Sequence, residues 1–230
     1  HGDALTTVVL VKAFRRGDPL ALQEAVTAQT PRAVSDLCLV KLRVGPGNAG
    51  PPDAPSTSPG IGIEVWLPAP ANWDGRIHNH GGGGWVGGAF GSPSAIAGFR
   101  AAAVAGQEGA VSSMTDAGHP VEGGPPGSPG GSFAMLPDGT PNRALWRDFA
   151  SRALHEQAVK TKVLTQAYYG RPAKRSYFEG VSDGGREAYT LAQVYPADYD
   201  GIVGGLPAIN WSSFATAAMY PQVVFQRDLG

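Results

Sequence analysis

Apolar and polar side chains alternate along residues 61–67, and the stretch ends at Pro68. An alternating, β-branched run predicts a β-strand. Asp74-Gly75, a dipeptide typical of tight turns, leads into the short run at residues 76–80, so the two runs predict a hairpin or a neighbouring pair of strands. Residues 46–60 and 120–140 are rich in Pro and Gly without an apolar period, which predicts surface loops.

Longer segments follow a helical period. Apolar residues between positions 146 and 169 recur at helical spacing, which predicts a helix stopped by Gly170. Two further helices are predicted at residues 96–105 and 185–194, and strands at residues 110–115, 176–179 and 201–205. Because strands alternate with helices, we expect a mostly parallel α/β sheet with helices on both faces and reactive loops at the carboxyl ends of its strands.

Composition narrows the class of protein. With 230 residues, 42% of them hydrophobic, the chain is long enough for one domain with a buried core, and its 33 Gly and 20 Pro indicate many loops. A formal net charge of −1 supplies no basic field for nucleic acid or an anionic membrane. The chain opens without the pattern of a signal peptide, so we expect a leader to have been removed or never present.

The strongest chemical signal is the pentapeptide Gly-Val-Ser-Asp-Gly at residues 180–184. It matches G-x-S-x-G, in which a sharp turn between strand and helix lifts a serine hydroxyl clear of the sheet. A short apolar strand precedes it and a helix follows, as the motif requires. We therefore predict that Ser182 is a nucleophile and that the backbone N–H of Asp183 faces the developing oxyanion. The alternative is a plain glycine turn that contains a surface serine.

A second glycine run follows His80 after a predicted strand. Hydrolases with the serine motif place their other oxyanion donor in such a loop, because glycine lets backbone N–H groups approach the substrate closely. Gly83 and Gly84 are the candidate donors. The same run fits the G-x-G-x-x-G dinucleotide fingerprint, but residues 88–94 do not open the helix that would hold a pyrophosphate. A flexible loop without a ligand is the remaining alternative.

Histidines and tryptophans near this run are weaker candidates. His78 and His80 share one strand face at a spacing that can bind metal, but no third ligand of suitable spacing follows, so we predict no metal site. His119 and Trp85 are candidate substrate-binding residues. For His119, a structural hydrogen-bonded role is the favoured alternative, and tryptophans are more often core or pocket wall than dedicated binding platforms.

Residues 176–187, Ser-Tyr-Phe-Glu-Gly-Val-Ser-Asp-Gly-Gly-Arg-Glu, resemble the nucleophile region of the tannase and feruloyl esterase family. The similarity extends to residues 72–76 with the glycine run, to residues 115–119 and to the helix at 152–170. It implies the α/β-hydrolase fold, a secreted or periplasmic enzyme and an aromatic acyl ester as substrate, of the feruloyl, galloyl or terephthaloyl type. By position, Gly84 matches the family's oxyanion glycine, and Asp183 supplies the other N–H.

Two departures from that family stand out. Its members carry a Cys directly before the nucleophile, bonded to a Cys before the catalytic histidine, whereas this chain has Val181 there, so Val181 is expected to hold the elbow by packing alone. The fold orders its triad as Ser, then acid, then His, yet no histidine follows Ser182.

We therefore expect residues 1–230 to be a single but incomplete α/β-hydrolase domain, with residues 209–230 approaching an absent lid. A C-terminal part, as a missing segment or companion chain, would supply lid, acid and histidine. No cofactor is expected in this chain, since the calcium of family members is structural and lies in the lid. The alternative function is a non-catalytic binding protein on the same scaffold.

Overall fold

The computed structural model describes residues 5–119 and 130–229. Its strands are β1 (Thr6–Phe14), β2 (Leu37–Val44), β3 (Ile61–Pro68), β4 (Arg76–His80), β5 (Ser112–Thr115), β6 (Arg175–Val181) and β7 (Gly201–Gly205). Its helices are α1 (Arg100–Glu108), α2 (Arg143–Arg147), α3 (Ala153–Tyr169), α4 (Asp183–Val194) and α5 (Trp211–Leu229). Part of the loop predicted at 120–140 therefore lies outside the described residues.

The strands form two ladders that meet at one point. Strands β1, β2, β3 and β5 pair antiparallel in that order, and β4, β6 and β7 pair in parallel. A parallel bridge between Ile77 and Val111 joins β4 to the residues just before β5. Backbone N–H groups of His78 and Val111 donate across it, at 2.7 and 3.0 Å. The resulting order is β1-β2-β3-β5-β4-β6-β7.

The sheet is mixed rather than mostly parallel, and the predicted hairpin of residues 61–67 with 76–80 is wrong, because β5 lies between β3 and β4. The sequence pattern did not predict β1 and β2, and these two strands make the antiparallel part of the sheet larger than expected. In β2, the charged Lys41 interrupts the apolar run, yet this side chain is fully buried. Its ammonium lies 3.8 Å from Glu64 and donates to the carbonyl of Ala89 at 2.7 Å.

Helices cover both faces of the sheet, as predicted. Since side chains alternate between faces along a strand, β2 and β3 contribute to two cores. On one face Leu39 and Trp66 pack with the small residues of α1. On the other face Leu42 and Ile63 belong to the cluster that contains residues of α2 and α3. Helix α4 packs beside α3 through a third cluster around Phe178.

The helix predicted over 146–169 is longer and less regular than expected. It begins after Asn142, whose side chain accepts from the Leu145 N–H at 3.3 Å, and continues from α2 through a π-helical turn at Asp148–Arg152 into α3. Gly170 ends it with a φ of 70°, as predicted. Across the described ranges, no helix combines the length and the apolar character needed to cross a membrane.

Candidate active site

Ser182 lies on the bend between β6 and α4. Its backbone has φ 63° and ψ −115°, a region that non-glycine residues rarely adopt, and the residue is exposed. The Ser182 N–H donates to the carbonyl of Gly205 at 3.1 Å, and its own carbonyl accepts from the Ala208 N–H at 2.9 Å. The start of the segment after β7 therefore helps to hold the bend, and the hydroxyl-bearing residue stands outside the core.

The expectation that Val181 alone holds the elbow by packing is wrong. Val181 is 46% exposed. Close backbone packing holds the elbow instead. A Cβ on Gly180 would overlap the carbonyl of Gly184, and one on Gly185 would lie 2.8 Å from the Cα of Pro207. Only glycine fits these flanks, because any side chain there would force strand and helix apart.

The glycine loop leaves β4 at His80 and contacts the elbow directly. The Gly184 N–H donates to the carbonyl of Gly82 at 3.1 Å, and a Cβ on Gly184 would lie 2.9 Å from that oxygen. Gly83 and Gly84 follow as exposed residues, and Gly84 has a φ of 61°. The two predicted oxyanion elements therefore meet at one corner of the sheet.

The dinucleotide alternative loses its structural support here. Beyond Gly87 the chain forms only a single 3₁₀ turn at Ala89–Gly91, and the next helix, α1, begins at Arg100. A pyrophosphate over this glycine run would therefore lack the N-terminus of a helix that the fingerprint supplies.

Glu187 supports the glycine loop from beneath, a role that the sequence analysis did not assign. This carboxyl is buried on α4, and its Oε2 accepts from the Gly82 N–H at 2.8 Å. Burial, reinforced by the nearby carboxylate of Asp183, raises the pKa of Glu187 to about 8. The residue belongs to the recognised motif region, but only the fold shows which backbone group it contacts.

The side chain of Asp183 is held by an ion pair on its own helix. The carboxylate Oδ1 accepts from Arg186 Nε at 2.6 Å, and burial raises the pKa of Asp183 against the opposing effect of that guanidinium. Arg186 lies over the ring of Phe149, with its guanidinium carbon 4.4 Å from the centroid. As the first residue of α4, Asp183 has an N–H without an intrahelical acceptor, although the residue as a whole is fully buried.

Trp85 and His119 lie in one aromatic cluster. Trp85 is half-buried, and its ring centroid lies 4.5 Å from Trp211 and 5.6 Å from Phe149. His119 is only 1% exposed and stacks on Phe133 at 3.8 Å. The cluster forms an aromatic wall beside the glycine loop, in which Trp85 is the more accessible of the two predicted residues.

The histidine pair on β4 has a carboxylate beside it. In the parallel register, His80 stands opposite Glu179 of β6, and one ligand atom from each of His78, His80 and Glu179 lies within 4.8 Å of the others. The sequence spacing did not indicate this third side chain, because Glu179 is distant in sequence and reaches the pair only through strand pairing. Burial, with Arg100 and His78 nearby, lowers the pKa of His80 to about 3.

The His155 and Asp198 pair does not complete a triad. Asp198 Oδ2 lies 2.8 Å from His155 Nδ1, the arrangement of a base and its orienting acid. However, His155 stacks on Tyr195, at the carboxyl end of α4, whereas Ser182 caps its amino end. Twelve residues of helix separate the two ends, a distance of roughly 18 Å.

Known proteins resemble both the sequence and the fold. The family model "Tannase and feruloyl esterase" matches residues 50–228. A probable feruloyl esterase from Arthroderma benhamiae is 39% identical over 201 residues, which are 86% of this chain and 33% of that protein. The chain thus spans about a third of the length of the curated relatives it matches first.

Two solved structures align with the fold. Feruloyl esterase B from Aspergillus oryzae has a TM-score of 0.68 and 26% identity, covering 92% of this chain and 36% of that chain. Tannin acyl hydrolase from Aspergillus niger has a TM-score of 0.66 and 26% identity, covering 98% of this chain and 37% of that chain. The α/β-hydrolase fold class predicted from the sequence is confirmed. The chain belongs to the tannase and feruloyl esterase family.

Proposed function

We propose that this chain is the nucleophile-bearing part of a serine hydrolase that cleaves aromatic carboxylic esters. The observation that carries the proposal is the corner where an exposed, strained Ser182 and the glycine loop are joined by the hydrogen bond from Gly184 to Gly82. Backbone strain at an exposed serine is costly and persists where the surrounding structure enforces it, which is typical of functional sites.

The proposed reaction has two acyl-transfer steps. A histidine outside this chain takes the Ser182 proton while Oγ attacks the ester carbonyl carbon, and the N–H groups of Gly84 and Asp183 stabilise the oxyanion. The intermediate collapses, the C–O bond to the alcohol breaks, and the histidine returns the proton to the leaving oxygen. Water then adds to the acyl-enzyme by the same route, which releases the acid and restores the serine.

The aromatic wall favours an aromatic acyl group. Trp85 adjoins the glycine loop and is half-buried, so one of its surfaces is accessible for ring contacts. The names of the relatives and solved neighbours point to feruloyl and tannin acyl esters for those proteins. We extend this to feruloyl, galloyl or terephthaloyl esters here, with Trp85 contacting the acyl ring and His119 supporting the wall from within.

The lid, the acid and the histidine are proposed to come from a C-terminal part beyond residue 230 or from a companion chain. Helix α5 supports this, since it has no buried residue and carries a row of exposed apolar side chains. Among them are Phe214, Met219, Tyr220, Val223 and Phe225, each more than half exposed. An exposed apolar surface of this extent is typical of an interface.

We also propose a secreted or periplasmic location and a structural calcium ion held in that lid.

Covalent labelling tests the function. The natural polypeptide that carries this chain is treated with a fluorophosphonate probe, and we expect stoichiometric reaction at Ser182 with parallel loss of hydrolysis of methyl ferulate. Ser182→Ala should abolish both, whereas Ser213→Ala, which removes an exposed serine on α5, should change neither. A folded polypeptide that binds aromatic esters but reacts with no probe would instead support a binding protein on the hydrolase scaffold.

A further inference from the structure

We propose that His78, His80 and Glu179 form a binding site for a divalent transition-metal ion of the zinc class, separate from the serine chemistry. The two histidines are alternate residues on one face of β4, and Glu179 lies beside them on β6. One nitrogen or oxygen from each lies within 4.8 Å of the others. Two imidazoles and one carboxylate are a donor set that zinc accepts, with water in the fourth tetrahedral position.

His80 gives this cluster its strongest support. The side chain is 2% exposed, and neither of its ring nitrogens has a hydrogen-bond partner among the described residues. Buried polar atoms are nearly always paired, because an unpaired one loses its hydration without compensation. A metal ion between the three side chains would give one of these nitrogens its missing partner.

The contacts of His78 match a metal ligand with an orienting carboxylate. Its Nε2 lies 3.3 Å from Glu179 Oε2, about the separation of two ligands on one tetrahedral ion with bonds near 2.0–2.1 Å. Its Nδ1 lies 3.1 Å from Glu108 Oε2. Metal-bound histidines commonly donate their second ring N–H to such a carboxylate, which fixes the ring orientation.

Arg100 is compatible with this arrangement. Its guanidinium donates to Oε1 of Glu179 at 2.7 Å, which leaves Oε2 on the side of His78. The arginine nevertheless places a positive charge beside the ion, so its removal should strengthen metal binding. His78 and Glu179 are partly exposed, at 20% and 36% of their side chains, so an ion can reach the buried His80 through them.

The site would join the two strands that lead into the catalytic corner. His80 directly precedes the glycine loop, and Glu179 lies three residues before Ser182. A bound ion would therefore link β4 to β6 through side chains and stabilise the folded protein by mass action. Its role is structural, since it contacts no atom of the proposed nucleophile.

Calorimetric titration with zinc chloride tests the site. The natural polypeptide is stripped with a chelator and then titrated. We expect one zinc ion per chain and a rise in the melting temperature on its addition. His78→Asn and Glu179→Gln should each weaken binding at least about tenfold. Arg100→Gln should bind zinc at least as tightly as wild type. Magnesium should not bind, because it prefers all-oxygen sites.

The control is His155→Asn, which removes a partly exposed histidine on α3 outside the cluster and should leave zinc affinity unchanged. Circular dichroism of each metal-free variant establishes that it is folded, and neither tested variant removes the buried His80. Unchanged zinc affinity in folded His78→Asn and Glu179→Gln would overturn the proposal. So would a loss of affinity in His155→Asn equal to theirs, since binding would then be unspecific.

Discussion

The corner that holds Ser182 and the edge formed by β7 and α5 lie side by side, yet they differ in how completely they are packed. At the corner, Gly180, Gly184 and Gly185 leave no room for a Cβ, and Glu187 is buried beneath the loop. At the edge, Val203 is 65% exposed, and beyond Trp211, which packs partly buried beside Trp85, most of α5 is exposed. Among the described residues, the backbone of the corner is fully packed, whereas the edge is an apolar surface that no other segment covers.

This contrast separates two parts of the proposed enzyme. The proposed nucleophile and oxyanion donors depend on backbone geometry that residues of this chain fix by themselves. In the same proposal, the acid, the base and the lid come from elsewhere and would contact the surface that this chain leaves open. Changes at the corner should therefore act on folding and turnover within the chain, and changes at the edge should act only where another segment covers it.

The largest expected effect is at the elbow. Gly180→Ala places a Cβ on the carbonyl of Gly184, so β6 and α4 must move apart. We expect a loss of more than about 4 kcal/mol in the free energy of unfolding, or no folded product. Gly98→Ala, where a Cβ meets nothing within 4 Å, is the control and should change stability by less than about 0.5 kcal/mol. Urea denaturation measures both, and equal midpoints would contradict the close packing of the corner.

An interior strand of the sheet and its edge strand β7 should differ nearly as much. Ile63→Ala in β3, where the side chain is fully buried, should cost about 2–5 kcal/mol. In the 230-residue chain, Val203→Ala in β7 should cost less than about 0.5 kcal/mol, because that side chain is already hydrated. Chemical denaturation of the two variants checks the comparison. A cost at Val203 as large as at Ile63 would mean that the edge is covered.

The glycine loop allows a test of turnover. Gly84→Pro removes a backbone N–H and cannot adopt the φ of 61°, so we expect hydrolysis of methyl ferulate to fall about a hundred- to thousandfold. Gly83→Ala keeps its N–H, and a Cβ there meets nothing within 4 Å, so its rate should stay close to wild type. Full turnover in a folded Gly84→Pro polypeptide would show that Gly84 is not an oxyanion donor.

The smallest effect concerns pH. The pKa of Glu187 is raised from 4.5 to about 8, mainly by burial, so the folded chain keeps a proton that the unfolded chain releases above pH 4.5. This stabilisation is complete below pH 4.5 and is lost as the pH rises towards 8. We expect the free energy of unfolding of wild type to fall between pH 5 and 8. In Glu187→Gln this fall should be smaller by at least about 1 kcal/mol. Asp53→Asn, at an exposed loop site, should follow wild type. Identical slopes in Glu187→Gln and wild type would contradict the raised pKa.

Local geometry made much of the corner predictable. The elbow needs only a strand, a tight turn and a helix, and residues 180–184 encode all three within a few positions. Glu179 and Glu187 were missed as partners because their contacts are with residues 78–82, about a hundred positions away. Strand β2 was missed because the burial of Lys41 depends on Glu64 across the sheet. Periodicity carries no information about such pairings.

The insertion of β5 between β3 and β4 has a consequence for how the chain folds. Strand β4 finds no partner in the segment before it, and both of its neighbours come later in the chain. The longer of its ladders, with β6, closes across about a hundred residues, so forming it requires the entropy loss of a large loop. During synthesis, one edge of the strand that leads into the glycine loop therefore stays unpaired until residues 175–181 have left the ribosome, and an unpaired strand edge is open to misfolding over that interval.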